Sequence, residues 1–208
     1  SQGARMLLKY AAVIGGAARV RLLEELVGEE EAQRASGEIA TREGELDELI
    51  AGGFLLRSGA ADGEVQFARG LMREVVYDSL SARAQRECHA RVGRLLASRF
   101  FAGREEPPAT IAEHLERGGE TAAAAAFWLR AGRLALGASD ADAAVACFSR
   151  TLLLDRELGS APPTPTSRAR RREALAGREE AHRLQGDLNA NATDLDELQR
   201  LCEGDHFS

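Results

Sequence analysis

Apolar residues recur every three or four positions along most of the chain, which predicts a mainly helical protein. In the first fifty residues this spacing predicts three helices, over 4–14, 18–27 and 41–50. Gly15 and Gly16 end the first helix, and an acidic connection separates the second from the third. Thr41 is a suitable N-cap for the third helix, because its hydroxyl can accept a hydrogen bond from the first turn.

The spacing of apolar residues changes from helical to alternating after Gly52 and Gly53. Residues 54–57 and 64–68 alternate in the manner of short strands, and the turn-forming residues 58–63 lie between them. The sequence therefore predicts a β-hairpin. Three helices followed by a hairpin is the order of a winged-helix domain, which we assign to residues 1–80.

Helical spacing returns after the hairpin and continues to the end of the chain. It predicts helices over 67–80, 82–100, 109–119, 120–136, 140–155, 168–184 and 188–202. Pro and Gly residues interrupt the pattern at 103–108, and residues 158–167 form a flexible connection. Residues 81–208 are therefore predicted to be an array of helices.

Two of these helices carry a spaced set of small and aromatic residues: Trp128, Gly132, Ala144 and Phe148. This set resembles the signature of the tetratricopeptide repeat (TPR), in which small residues let two helices approach and aromatic residues fill the space between neighbouring pairs. The chain departs from that signature at Ala135, Thr151 and Arg156. In such a repeat the inner face would present Leu129, Arg133 and Leu136, and Arg130 and Arg133 could receive an acidic partner segment. These four are our candidate partner-binding residues.

Composition narrows the class of protein. The net charge is −6 and Lys9 is the only lysine, which argues against bulk attraction to nucleic acid or to an anionic membrane. Three widely separated cysteines without metal-ligand spacing suit a reduced, cytoplasmic setting. The apolar run over 6–18 is interrupted by charge and is too short to span a bilayer, so we interpret it as a buried helix.

The side chains able to do chemistry do not form a recognisable catalytic or metal-binding set. Cys88 and His89 are adjacent, so on a helix they point about 100° apart, and Cys88 lies on the apolar stripe. His114 can bond a neighbouring carbonyl, whereas His182 and His206 are expected to be solvated. The acidic runs 29–31 and 105–106 are likewise expected to be solvated. We predict no enzyme activity, cofactor or metal within this chain.

An ordered series of segments resembles the family of signal-transduction ATPases with numerous domains (STAND). The segments are LLKYAAVIG from Leu7, FARGLMREVVYDSL from Phe67, RECHARVGRLL from Arg86 and AEHLERGGETAAAAAFWLRAG from Ala112. The resemblance extends to Asp155. The chain departs from the family at Arg69, where the family usually has a histidine, so a role that needs that imidazole does not carry over.

The resemblance implies a winged helix and TPR-like repeats that follow a P-loop nucleotide-binding domain, as in bacterial regulators linked to adenylate cyclases, serine/threonine kinases or LuxR-type output domains. No Walker A motif occurs in the sequence, so we expect no ATP hydrolysis by this chain alone.

Three functions remain as hypotheses. The first is a regulatory arm, in which the winged helix packs on the nucleotide-binding domain and the repeats sense a signal. The alternative is a stand-alone TPR scaffold that binds a protein. DNA binding is less favoured, because the third helix carries four carboxylates and Arg42 alone among basic residues, and the basic segment 168–172 is expected to be a solvated helix start.

The final helix exposes a stripe of apolar residues that predicts self-association or a further segment of chain: Leu195, Leu198 and Leu201.

Overall fold

The computed structural model describes residues 1–33, 42–58, 63–159 and 165–204. Contacts between Cα atoms divide the chain into two compact units, 1–95 and 96–208. The boundary that we predict from sequence, after residue 80, lies before this division at residue 95, because we assigned the long helix that starts at Ala82 to the repeats. Each unit is described by itself.

Unit 1 (residues 1–95) alternates helices with short strands. Its described elements are α1 Gln2–Ile14, β1 Ala17–Arg19, α2 Val20–Gln33, α3 Arg42–Ala51, β2 Leu55–Ser58, β3 Glu64–Phe67, α4 Gly70–Asp78 and the first part of α5, which spans Ala82–Phe101.

The described part of unit 1 forms a three-stranded antiparallel sheet in the order β1-β3-β2. Leu55 pairs with Phe67 in the predicted hairpin, and Ala18 pairs with Val65 on the other side of β3. A mainly helical fold with a small hairpin is thus confirmed. The sequence missed β1, because three residues without alternation or β-branching carry no strand signal of their own. Its pairing with β3 defines it.

The core of unit 1 is formed by α1, α2, α3 and the first part of α5 together with inward-facing residues of the sheet. Leu7, Leu23, Leu26 and Leu55 are fully buried, and α1 packs on α2, α3 and α4. Arg73 on α4 donates a hydrogen bond to the carbonyl of Ala12, 3.3 Å away, at the C-terminal end of α1. The apolar run near the start of the chain is therefore a buried helix, as predicted.

The described part of unit 2 (residues 96–208) contains helices and short connections, with no strand. After the last turns of α5 it contains α6 Pro108–Arg117, α7 Thr121–Gly137, α8 Ala141–Glu157, α9 Pro165–Gln185 and α10 Leu188–Gly204. From α6 onward each helix packs on the next, and α7 also packs on α9. This is the arrangement of stacked helical hairpins, in which each element contacts mainly its neighbours in sequence.

A single aromatic ring joins three helices at the centre of unit 2. Phe148 on α8 is buried, and a Cβ atom built on Gly132 of α7 would lie 2.6 Å from its ring. A Cβ atom on Gly177 of α9 would lie 2.4 Å from the same ring. Only glycine leaves room for the ring on both sides, so the two glycines and Phe148 define how closely α7, α8 and α9 approach.

Some sequence-based predictions lie outside the described residues. They are the N-cap at Thr41, the tip of the hairpin at 59–62, the centre of the predicted connection at 160–164, and His206.

Candidate functional site

Unit 1 encloses an ionic cluster. The carboxylate of Glu30 on α2 is buried and accepts hydrogen bonds from Lys9 Nζ at 3.0 and 3.2 Å, and from the hydroxyl of Tyr10. Arg91 on α5 places Nη1 3.6 Å from a Glu30 oxygen. One carboxylate therefore holds together three helices: α1, α2 and α5.

Environment determines the protonation of this cluster. Burial raises the pKa of Tyr10, and the hydrogen bond to Glu30 raises it further, so the phenol stays neutral. Burial also opposes ionisation of Glu30, but the hydrogen bonds from Tyr10 and Lys9 and the charges of Lys9 and Arg91 outweigh it and hold the pKa of Glu30 below its ordinary value. The expectation that the run 29–31 is solvated is thus wrong at Glu30, because α2 continues through this position and turns it inward.

The thiol and imidazole of α5 are both buried. Cys88 lies in the core as predicted, and burial is the main cause that raises the pKa of its thiol. The Nε2 atom of His89 lies 3.0 Å from the hydroxyl of Tyr77 on α4, and the two rings meet edge to face. A buried thiol with a raised pKa is a poor nucleophile, so Cys88 and His89 are better explained as packing residues of α5 than as a catalytic pair.

The third helix of unit 1 presents negative charge. Asp47 and Glu48 on α3 are exposed, and Asp47 accepts a 3.3 Å hydrogen bond from Arg57 on β2. In a winged-helix domain that reads DNA, this helix would face phosphates, which carboxylates repel. Its charge therefore opposes DNA binding.

Unit 1 also exposes large apolar side chains, on the sheet and on α4. Phe54 immediately precedes β2 and Leu56 lies within it, while Leu71 and Val75 lie one turn apart on α4. Leu71 has 71 % of its surface exposed and Val75 has 62 %. We call these four residues the apolar surface of unit 1.

The small and aromatic residues that resemble a repeat signature lie where α7 and α8 meet. Ala144 and Phe148 are fully buried, and Gly132 contacts the Phe148 ring. Trp128 is half-buried, and its Nε1 atom donates a 2.8 Å hydrogen bond to Glu116 on α6. Arg150 on α8 donates to the same carboxylate. Glu116 thus joins α6, α7 and α8, a contact that the repeat signature did not predict.

The four candidate partner-binding residues do not share one open face. Leu129 belongs to the buried core around Phe148, and Leu136 packs against it. Arg133 pairs with Glu173 on α9. The guanidinium of Arg130 lies over the rings of Phe100, Phe101 and Phe127, at 5.4–5.8 Å from their centres. Among these four, only Arg130 and Arg133 are exposed enough to meet a partner.

Several charges expected to be solvated are instead paired inside unit 2. Glu106 is buried and accepts a 2.9 Å hydrogen bond from Arg99. In the basic segment 168–172, Arg170 pairs with Asp155, and both side chains are largely buried. His182 is not solvated either, since its side chain is 13 % exposed and contacts Gln185 and Asp194. Local periodicity does not indicate these pairs, because Arg170 and Asp155 lie on different helices and Glu106 lies in the connection after α5.

An arginine-rich cavity of about 630 Å³ lies where α8 ends and α9 begins. Its wall includes Arg156 near the end of α8, Arg168 and Arg171 in the first turns of α9, and Leu201 near the end of α10.

Unit 2 also exposes leucines at the end of α9 and in the first half of α10: Leu184, Leu188 and Leu195. The predicted apolar stripe of α10 is divided, because Leu198 and Leu201 pack against the core around Phe148 while Leu195 is exposed.

Over the described ranges, no group of three or more acidic, histidine or cysteine side chains could hold a metal ion. Nor does any described helix combine the length and apolar content needed to cross a membrane. Comparison of the chain with protein-family models, with curated proteins and with solved structures finds no match.

Proposed function

We propose that this chain is a non-catalytic regulatory and protein-interaction region of a multidomain signalling ATPase. In this proposal unit 1 packs on an upstream P-loop nucleotide-binding domain, and the helical array of unit 2 senses a signal or binds a partner. The observation that carries the proposal is the apolar surface of unit 1, formed by Phe54, Leu56, Leu71 and Val75.

Large apolar side chains left exposed are typical of a surface that another protein covers. Phe54 and Leu56 belong to the sheet region, and Leu71 and Val75 to the adjoining helix α4, which contacts β3. Nucleic acid would instead require arginine or lysine side chains to contact phosphates. The carboxylates of α3 and the net charge of −6 disfavour that alternative.

The order of elements gives the proposal its second support. Unit 1 follows the order α1-β1-α2-α3-β2-β3, with β1 completing a three-stranded sheet. This agrees with a winged-helix-like unit ahead of stacked helical hairpins, the combination that the STAND resemblance implies.

The proposal is tested with the P-loop domain that it requires upstream in the same reading frame. That domain and the present chain are expressed separately and mixed with ADP or with ATP and magnesium, and co-elution is measured by size-exclusion chromatography. We expect association in one nucleotide state only. No association in either state, or a reading frame without a P-loop domain, overturns the proposal.

A pair of variants shows which surface is used. Replacing Leu71 and Val75 by serine should abolish co-elution, because both side chains are exposed and make up half of the apolar surface of unit 1. Leu188→Ser is the matched control, since Leu188 is 77 % exposed but belongs to unit 2. Unchanged association of the Leu71 and Val75 variant would exclude this surface.

The stand-alone scaffold remains the second candidate, and the exposed leucines of unit 2 favour it. A scaffold predicts that a protein partner is lost on replacing Leu188 and Leu195 by serine and retained on replacing Leu71 and Val75. Pull-down of the same partner with both variants distinguishes the two functions, because each predicts loss with a different variant.

A further inference from the structure

The cavity of unit 2 has an excess of positive charge. Its lining carries four guanidinium groups, from Arg156, Arg168, Arg170 and Arg171, and one carboxylate, from Asp155. Asp155 is already engaged by Arg170, with Nε–Oδ1 at 2.9 Å. Arg156, Arg168 and Arg171 add three further cations to the lining.

Two of those three arginines share one acidic partner. Arg171 pairs with Glu197 on α10, and Arg156 approaches the same carboxylate at 3.6 Å. Burial alone would raise the pKa of Glu197, but the hydrogen bond from Arg171 and the positive charges of Arg171, Arg156 and Arg178 lower it overall. One carboxylate cannot neutralise several guanidinium groups, so the electrostatic potential around Glu197 stays positive. The side chain of Arg156 is 60 % exposed and can therefore meet an anion from solvent.

Helix direction adds to this potential. The cavity wall includes Thr166 and Ser167, in the first turn of α9, a helix of 21 residues. The positive end of its dipole therefore points to the same place as the arginines, which favours an anion there.

The rest of the wall is apolar. Among the described residues, the lining also includes Ala122 on α7, Leu158 and Gly159 at the end of α8, and Leu201 on α10. The volume of about 630 Å³ is that of a site for a small molecule. An inorganic anion would leave the apolar part of this space unfilled.

We propose that this cavity binds a small phosphate monoester with a short apolar tail, the phosphate facing Arg156, Arg168 and Arg171 and the tail facing Leu158 and Leu201. Arginine suits this head group because its planar fork can donate two parallel hydrogen bonds to phosphate. The inference rests on the proposed function, since it names the class of signal that the array of unit 2 would sense.

The test is isothermal titration calorimetry on the full chain at constant ionic strength, with hexyl phosphate, inorganic phosphate and hexan-1-ol as probes. We expect saturable binding of hexyl phosphate, weaker binding of inorganic phosphate and none of hexanol. Arg156→Gln and Arg168→Gln should each weaken hexyl phosphate roughly tenfold, the effect of losing one charge-assisted contact. Leu158→Ser should weaken hexyl phosphate and leave inorganic phosphate unchanged.

The matched control is Arg183→Gln, because Arg183 is also exposed on α9 but pairs with Glu180 away from the cavity lining. An equal loss with Arg183→Gln would reveal nonspecific charge attraction and overturn the proposal. Hexyl phosphate that does not bind, or binds no more tightly than inorganic phosphate, would also overturn it. Because these titrations contain no P-loop domain, their failure is distinguishable from failure of the proposed function.

Discussion

The two units hold their helices together by different means. Unit 1 buries a charge: the Glu30 carboxylate on α2 accepts hydrogen bonds from Lys9 and Tyr10 on α1 and forms an ion pair with Arg91 on α5. Unit 2 encloses a ring, since Phe148 lies against Gly132 and Gly177. In unit 1 the helices are held by electrostatic attraction between segments distant in sequence. In unit 2 they are held by the fit of one ring between helices that pack on each other. A buried charge tolerates few substitutions of its partners, whereas a packed ring tolerates few changes of volume.

The chain offers a way to observe the units separately. Trp128 is its single tryptophan and belongs to unit 2, while both tyrosines, Tyr10 and Tyr77, belong to unit 1. Tryptophan fluorescence therefore reports unfolding of unit 2. Amide hydrogen exchange in α1 and α2 reports opening of unit 1.

The largest expected effect is that of Phe148→Ala. Removing the buried ring leaves a cavity among three helices and should lower the free energy of unfolding of unit 2 by about 3–5 kcal/mol. Urea unfolding followed by Trp128 fluorescence measures it. Phe101→Ala is the control, because Phe101 is 66 % exposed and its loss should cost much less. Similar losses for both variants would contradict the central role of Phe148.

Glu30→Gln should have the next largest effect, in the other unit. It removes the negative charge that Lys9 and Arg91 face, and we expect a loss of about 2–3 kcal/mol, less than for a fully enclosed pair because both cations are partly exposed. Hydrogen exchange in α1 and α2 should accelerate while the Trp128 transition stays in place. The neighbouring Glu29→Gln is the control, since Glu29 is exposed.

Acid should remove the same contribution. The pKa of Glu30 is lowered in the folded state, so its stabilisation is fully present above its ordinary value of 4.5 and is lost as the pH falls through the folded value. The difference in unfolding free energy between the wild type and Glu30→Gln should therefore shrink steadily below about pH 4.5. Circular dichroism during urea unfolding at several pH values measures that difference. A difference that stays constant in acid would show that the charge of Glu30 contributes nothing.

Gly132→Ala should destabilise unit 2 moderately, by about 1–3 kcal/mol, because the added Cβ would lie 2.6 Å from the Phe148 ring and the helices must shift. The double variant with Phe148→Leu tests the cause. If the ring is what the methyl group meets, the second substitution should recover part of the loss, as the Trp128 transition would show. Additive losses would mean that the contact is not responsible.

What the sequence predicted well follows from local periodicity. The stripes of Leu7, Leu23 and Leu26 are enough to predict amphipathic helices, and the small and aromatic residues at 132, 144 and 148 predicted a close helical pair that the structure contains. Such patterns depend on neighbours three or four positions apart, which a sequence displays directly.

What the sequence missed depends on contacts between distant residues. Glu30 and Arg170 resemble surface charges in sequence, and only their partners on other helices show that they are paired and largely buried. The same holds for the cavity, whose lining comes from four helices. Leu129 was expected on an open face, yet it packs into the core because α9 covers that side of α7.

The smallest expected effect is a gain of stability, at a glycine that makes no close contact, in contrast to Gly132. Gly44 on α3 is exposed, and a Cβ atom there would meet no other atom within 4 Å. Gly44→Ala should therefore stabilise unit 1 by about 0.4–1 kcal/mol, since alanine restricts the unfolded chain and suits a helix better. Slower hydrogen exchange in α3 with an unchanged Trp128 transition would confirm it. Destabilisation would show that Gly44, like Gly132, is needed for a close approach.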